Sequence, residues 1–127
     1  MNELKLIGNE SKPDVCLDKK RGVFVIGGRS LPEDAVSTYK PIMDWINEYI
    51  SSPNSSTVFD IGLEYINSPS MKQIARLLFA LQKIADNGND VKVLWHYSAN
   101  DTDTKDHGVR LAKLVTYPFI LVADAAK

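Results

Sequence analysis

The stretch "STVFDIGLEYINSPSMKQIARLLFALQKIADNGNDVKVLWHY", residues 56–97, decides the fold. It opens with "STVFDIGLEYI" (56–66), rich in β-branched and aromatic residues, which reads as a strand with Val58, Ile61 and Leu63 as candidates for burial. The period then changes. Met71, Ile74, Ala75, Leu78, Leu81 and Ala85 recur at helical spacing, and Leu77 and Ile84 widen that stripe. "DNGND" (86–90) stops the helix, with Gly88 suited to the position just past its end. "VKVLWHY" (91–97) is strand-like again. A strand, a helix long enough to cross a sheet and a second strand make a parallel βαβ unit with a right-handed crossover.

Upstream, "LKLIG" (4–8), "DVCLD" (14–18) and "GVFVIGG" (22–28) read as strands, with "DKKRG" (18–22) as a hairpin turn between the last two. "SLPEDAV" (30–36) is a helix start, with Pro32 followed by Glu33 and Asp34 at the positive end of the helix dipole. Tyr39, Ile42, Met43, Ile46, Tyr49 and Ile50 then make one apolar face, and Trp45 is assigned to the core beside it. Pro41 inside this pattern either kinks the helix or marks its true beginning. "SSPNSS" (51–56) is a polar loop. Downstream, "SANDTDTKD" (98–106) reads as a loop running into a helix with Leu111, Ala112 and Val115 on one side. Pro118 ends that helix, and "FILVA" (119–123) is the last strand. The order is β-β-β-α-β-α-β-α-β, an α/β fold with a mixed sheet and about three helices packed on it. A single domain over residues 1–127 is expected, because no linker or low-complexity segment divides the chain.

Composition narrows the function classes. Hydrophobic residues make up 44% and charged residues 24%, enough for a real core without disulfides or metal. The net charge of −1, without a basic excess, argues against a nucleic-acid binder. The single cysteine, Cys16, excludes an internal disulfide and fits a reducing compartment. No signal-peptide pattern opens the chain, and no apolar run is long enough to span a membrane. A cytoplasmic protein is expected.

Motifs for catalysis are missing. "IGGRS" (26–30) lacks the ending and spacing of a P-loop and the third glycine of a dinucleotide fingerprint. "DTDTKDHG" (101–108) starts like a calcium loop, but Lys105 takes a ligand position and Ala112 stands where the bidentate Glu belongs. His96 and His107 are isolated from other ligands. His96 is read as a hydrogen-bonded strand residue, His107 as a surface residue and Cys16 as a small core residue. No cofactor is expected. "NSPS" (67–70) remains. Ser68 before Pro69 matches an N-cap followed by the first helical residue, and capping alone explains most serines so placed. The same place also tolerates a phosphate, at the carboxyl end of a parallel strand where sites gather in open α/β sheets.

Five features in this order resemble the SiaC family of bacterial regulatory phosphoproteins: Pro32-Glu33, the helical Trp45, Tyr65-x-Asn67-Ser68, Trp95-His96-Tyr97 and Pro118-Phe119. The likeness runs almost end to end and implies a STAS-like fold, as in anti-sigma-factor antagonists. It also implies a non-enzymatic switch. A serine/threonine kinase phosphorylates the hydroxyl after the Asn, a PP2C-type phosphatase removes the phosphate, and the unphosphorylated form binds and activates a diguanylate cyclase. Carried onto this chain, the acceptor is Ser68; Ser70 is the second choice because Pro69 can shift the modification, and Tyr65, Asn67, Ser68, Ser70 and Tyr97 are the residues expected around it as the partner-binding set. Two positions depart from the family pattern: Ser68 stands where Thr is common, and Pro69 where a small residue is expected. The alternative is a small ligand-binding or enzymatic domain with its site at the sheet edge near residue 66.

Overall fold

The structure, a computed structural model, describes residues 1–125. Its elements are β1 (Leu4–Leu6), β2 (Asp14–Asp18), β3 (Val23–Ser30), α1 (Ala35–Ile50), β4 (Ser56–Ile66), α2 (Ser68–Asp86), β5 (Asp90–Ser98), α3 (Thr102–Ala112) and β6 (Phe119–Asp124). The order is the expected one. The strands form one sheet in sequence order, antiparallel from β1 to β3 and parallel from β3 to β6. Three right-handed crossovers stepping the same way put all three helices on one face. Among the described residues, no helix covers the other, open face of the sheet.

The core lies between sheet and helices. Phe24, Ile26, Phe59, Ile61, Val93 and Trp95 point down from the sheet onto Ile42, Ile46, Tyr49, Leu77, Leu78 and Leu81. Phe24 sits at the centre of an aromatic cluster, with ring centroids 6.0 Å from Trp45, 5.1 Å from Tyr49 and 6.1 Å from Phe59. Trp45 is buried as expected, and its indole N–H donates to the Asn2 carbonyl at 2.8 Å. The "DKKRG" turn joins β2 to β3, with Gly22 at φ +66°. Past α2, Gly88 at φ +92° donates to the Ala85 carbonyl and Asn89 to that of Ile84, so the last turn closes as a Schellman motif.

Six local readings are corrected. In β4 the buried residues are Thr57, Phe59, Ile61 and Leu63, while Val58 faces the open side at 37% exposure. Strand alternation fixes the phase, and the polar Thr57 takes the inward place by bonding its hydroxyl to that of Tyr49 at 2.8 Å. Cys16 alternates with the buried Val15 and Leu17, so it is half-buried on the open face and not in the core. Pro41 lies inside α1 and does not mark its beginning, which is six residues earlier behind an Asp34 cap. β3 runs on to Ser30. The segment 102–106 is helix, capped by Asp101, whose carboxylate accepts from the N–H and hydroxyl of Thr104. α3 therefore stops at Ala112, so Val115 lies beyond it and Pro118 is not its terminator. The sixth correction concerns the cap of α2, described with the site.

Gly108 shows why α3 packs so close to the sheet. A Cβ there would collide with Trp95 and stand only 2.7 Å from Leu121, so the glycine lets the helix press onto the sheet. The Trp95 indole N–H then reaches the Thr104 carbonyl at 2.9 Å.

Candidate functional site

β3 and β4 end side by side at the rim where α1 and α2 begin. The two strand ends are stitched together: the Asn67 N–H donates to the Ser30 carbonyl at 2.9 Å, and the Asn67 side-chain amide donates to the Pro32 carbonyl at 3.0 Å. Asn67 also caps α2. Its backbone is extended, at φ −83° and ψ 166°, and its side-chain oxygen accepts from the Ser70 N–H at 3.0 Å. This corrects the sequence reading, in which Ser68 was the cap. Ser68 is the first helical residue, Pro69 the second and Ser70 the third.

The shift by one residue separates the two hydroxyls. Ser68 is exposed, and among the described residues its hydroxyl has no hydrogen-bond partner. Ser70 is fully buried. Its hydroxyl oxygen accepts from that of Ser30 at 2.7 Å, and the Ser30 hydroxyl also lies 2.6 Å from that of Tyr39. This chain of three buried hydroxyls locks the start of α2 to β3 and α1. Burial pushes the Tyr39 phenol above its ordinary pKa and outweighs the two serine hydroxyls, which pull it down. The phenol therefore stays protonated.

The electrostatics at Ser68 follow from the same geometry. A helix start normally offers several unpaired N–H groups to an anion. Here Pro69 has none, the Ser70 N–H is taken by the Asn67 side chain, and the Met71 N–H is taken by the Asn67 carbonyl at 3.0 Å. The Ser68 N–H, the dipole and the exposed Lys72, one turn on, remain to meet a charge at position 68. A charge added there stays at the surface, open to a partner.

Tyr65 and Tyr97, grouped with Ser68 in the sequence reading, lie on opposite faces of the sheet. Leu63 pairs with Gly28 and Tyr65 with Arg29, so Glu64 is an extra residue, a β-bulge. The bulge turns Tyr65 to the open face, where it is 54% exposed beneath the Arg29 guanidinium, 5.1 Å from the ring centre. Arg29 also pairs with Glu64 at 3.6 Å. Tyr97, two residues past the buried Trp95 in a regular strand, packs half-buried against the core on the helix side. Arg29 and Ser30 were not singled out as site residues, and Tyr39 was read only as part of the apolar face of the first helix. Their partners lie far along the chain, and no local pattern marks them.

Also on the open face, His96 stands over Gly62 between two carboxylates. Its Nε2 is 2.9 Å from Asp60 and its Nδ1 3.4 Å from Asp124. Burial alone would lower its pKa, but the hydrogen bonds to Asp60 and Asp124 outweigh it, and the net shift is upward. With both ring nitrogens facing carboxylates, the imidazole offers no free nitrogen to a substrate. This is the hydrogen-bonded strand histidine read from sequence. His107 is half-buried on α3, with its Nδ1 bonded to Arg110. Among the described residues, no group of His, Cys, Asp and Glu is arranged to hold a metal ion, and no helix is long and apolar enough to cross a membrane. A shallow recess of about 530 Å³ adjoins the rim, lined by Ser11, Lys12 and residues from Leu31 to Thr38.

Comparison with known proteins places this geometry. The model of the SiaC family regulatory phosphoproteins matches residues 6–124. An uncharacterized protein of Pseudomonas aeruginosa is 24% identical over 123 residues, covering 97% of this chain and 98% of that protein. Among solved structures, SiaC of Pseudomonas aeruginosa superposes with a TM-score of 0.89 at 23% identity, covering 98% of this chain and 100% of that one. The SiaC chain in a crystal structure of the diguanylate cyclase SiaD with its activator SiaC, from the same organism, gives 0.88 at 23% identity, with 95% and 99% covered. At these identities the superpositions establish the likeness of fold.

Proposed function

The chain belongs to the SiaC family of regulatory phosphoproteins, and from that premise we propose that it is a non-enzymatic binding module switched by reversible phosphorylation of Ser68. A serine/threonine kinase adds the phosphate, a PP2C-type phosphatase removes it, and the unphosphorylated form binds and activates a diguanylate cyclase. The module acts in the cytoplasm as one STAS-like domain over residues 1–127. The observation that carries the reading is the separation of the hydroxyls. Ser68 is exposed and unbonded among the described residues, while Ser70 is buried and holds Ser30. A kinase reaches the first without disturbing the fold, and the second only by breaking the hydroxyl chain.

A cyclase is taken as the output because SiaC of Pseudomonas aeruginosa is the activator of one. The partner face is the rim around Asn67 and Ser68, with the half-buried Tyr97 on the helix side and Tyr65 on the open side. Ser70 supports that face from beneath. A dianion at position 68 repels or desolvates against a partner docked over the rim, which is how it breaks the complex. The test is calorimetric titration of the cognate cyclase. Wild type and Ser68→Ala bind alike, and Ser68→Asp binds about tenfold more weakly or worse, a loss of ~1.4 kcal/mol. Equal binding by wild type and Ser68→Asp would sink the switch.

A further inference from the structure

The sheet has two edges, and only one is blunted. β1 is three residues long and carries Lys5, both devices that discourage strand pairing. β6 has six residues, "FILVAD", with no lysine, proline or bulge, and among the described residues it pairs only with β5. The Val93 N–H donates to the Pro118 carbonyl and the Ala99 N–H to the Asp124 carbonyl, both at 2.9 Å. Residues 118 and 124 therefore turn inward, and by alternation so do Ile120 and Val122. Phe119, Leu121 and Ala123 turn their N–H and C=O groups outward, and among the described residues nothing pairs with them.

We propose that β6 pairs antiparallel with β6 of a second copy of this chain, about a two-fold axis at Leu121. That register is self-complementary. Leu121 meets its own copy, and Phe119 meets Ala123 of the other chain, so each outward residue exchanges both its backbone bonds. On the open face, Ile120, which is 42% exposed, lies opposite Val122 of the second copy in the closely spaced kind of pair. Asp124 falls opposite Pro118 and not opposite another acid. On the helix side, Val109 of α3 is 37% exposed, and Leu114, two residues past the end of α3, is 44% exposed. Charge, register and apolar exposure all fit a second copy. This inference does not depend on Ser68.

Sedimentation equilibrium over a dilution series tests it. The wild-type mass rises toward twice the 14.2 kDa chain mass with concentration. Ala123→Pro deletes an outward N–H at an exposed position and leaves every bond to β5 intact, so it stays at 14.2 kDa with an unchanged circular dichroism spectrum. Ile120→Lys sets a charge against the apolar pair and lowers the dimer fraction, which decides the matter if the proline variant misfolds. A wild-type chain that stays at 14.2 kDa at its highest soluble concentration overturns the proposal and leaves the edge to a strand of another protein. A dimer that persists in folded Ala123→Pro, or unchanged in Ile120→Lys, overturns it equally.

Discussion

Consider two aspartates placed two residues apart, Ser68→Asp and Ser70→Asp. At position 68 the carboxylate is exposed in the first turn of α2, where a negative charge gains ~0.3–1 kcal/mol from the dipole. It also lies four residues before Lys72, an orientation worth about 0.2–0.5 kcal/mol. With screening at physiological salt, the net gain is ~0.5 kcal/mol, a rise in Tm of about 2 °C for a chain of this size. At position 70 the same carboxylate enters a site with no solvent exposure, against Ser30 and behind Tyr39. An uncompensated buried charge costs ~3–5 kcal/mol, which lowers Tm on the order of 10–15 °C. Urea unfolding followed by circular dichroism gives both numbers under one set of conditions. If Ser70→Asp is as stable as wild type, or Ser68→Asp loses more than about 1 kcal/mol, the assignment of exposed and buried hydroxyls is wrong.

Further expectations follow from the same contacts. Gly108→Ala gains ~1 kcal/mol of helix propensity but drives a methyl into Trp95 and Leu121, so urea titration should show a net loss of about 1–3 kcal/mol. Asn67→Ala removes the α2 cap and the bond to Pro32 together and should cost ~1–2 kcal/mol, with Asn67→Asp, which keeps the cap, losing less in the same assay. His96 has a folded pKa above its ordinary 6.5, so its protonated form favours the fold. That stabilisation is fully present below 6.5 and is lost as pH rises through the higher folded value. The stability difference between wild type and His96→Gln should therefore shrink from about pH 6 to about pH 8, and a difference that grows over this range contradicts the Asp60–His96–Asp124 arrangement.

The βαβ unit was legible because its signals are local and strong. "STVFDIGLEYI" matches β4 residue for residue, and the stripe from Ile74 to Ile84 is the buried face of α2. The misreadings have physical causes. Val58 is more apolar than Thr57 but out of phase with Phe59, Ile61 and Leu63, so strand alternation turns it outward, and the Tyr49 hydroxyl satisfies the Thr57 that takes the inward place. The helix α3 was legible, but its start was missed because its first buried residues are Thr104 and Gly108, a face made by fit against Trp95 and not by greasiness. Asn67 and Ser68 are both good caps, and the choice rests on one backbone angle fixed by the Asn67–Ser30 bond between strand ends. The bulge at Glu64 separates Tyr65 from Tyr97, and no turn residue announces it. The hydroxyl chain from Ser30 to Ser70 spans 40 residues and is invisible without the fold.

The switch at Ser68 is tested most directly by mass-spectrometric phosphosite mapping of the protein from its native host, before and after phosphatase treatment. The account predicts a phosphate on Ser68 that the phosphatase removes, with Ser70 unmodified. A phosphate found on Ser70 alone would contradict it, because that hydroxyl is buried against Ser30 in the folded chain.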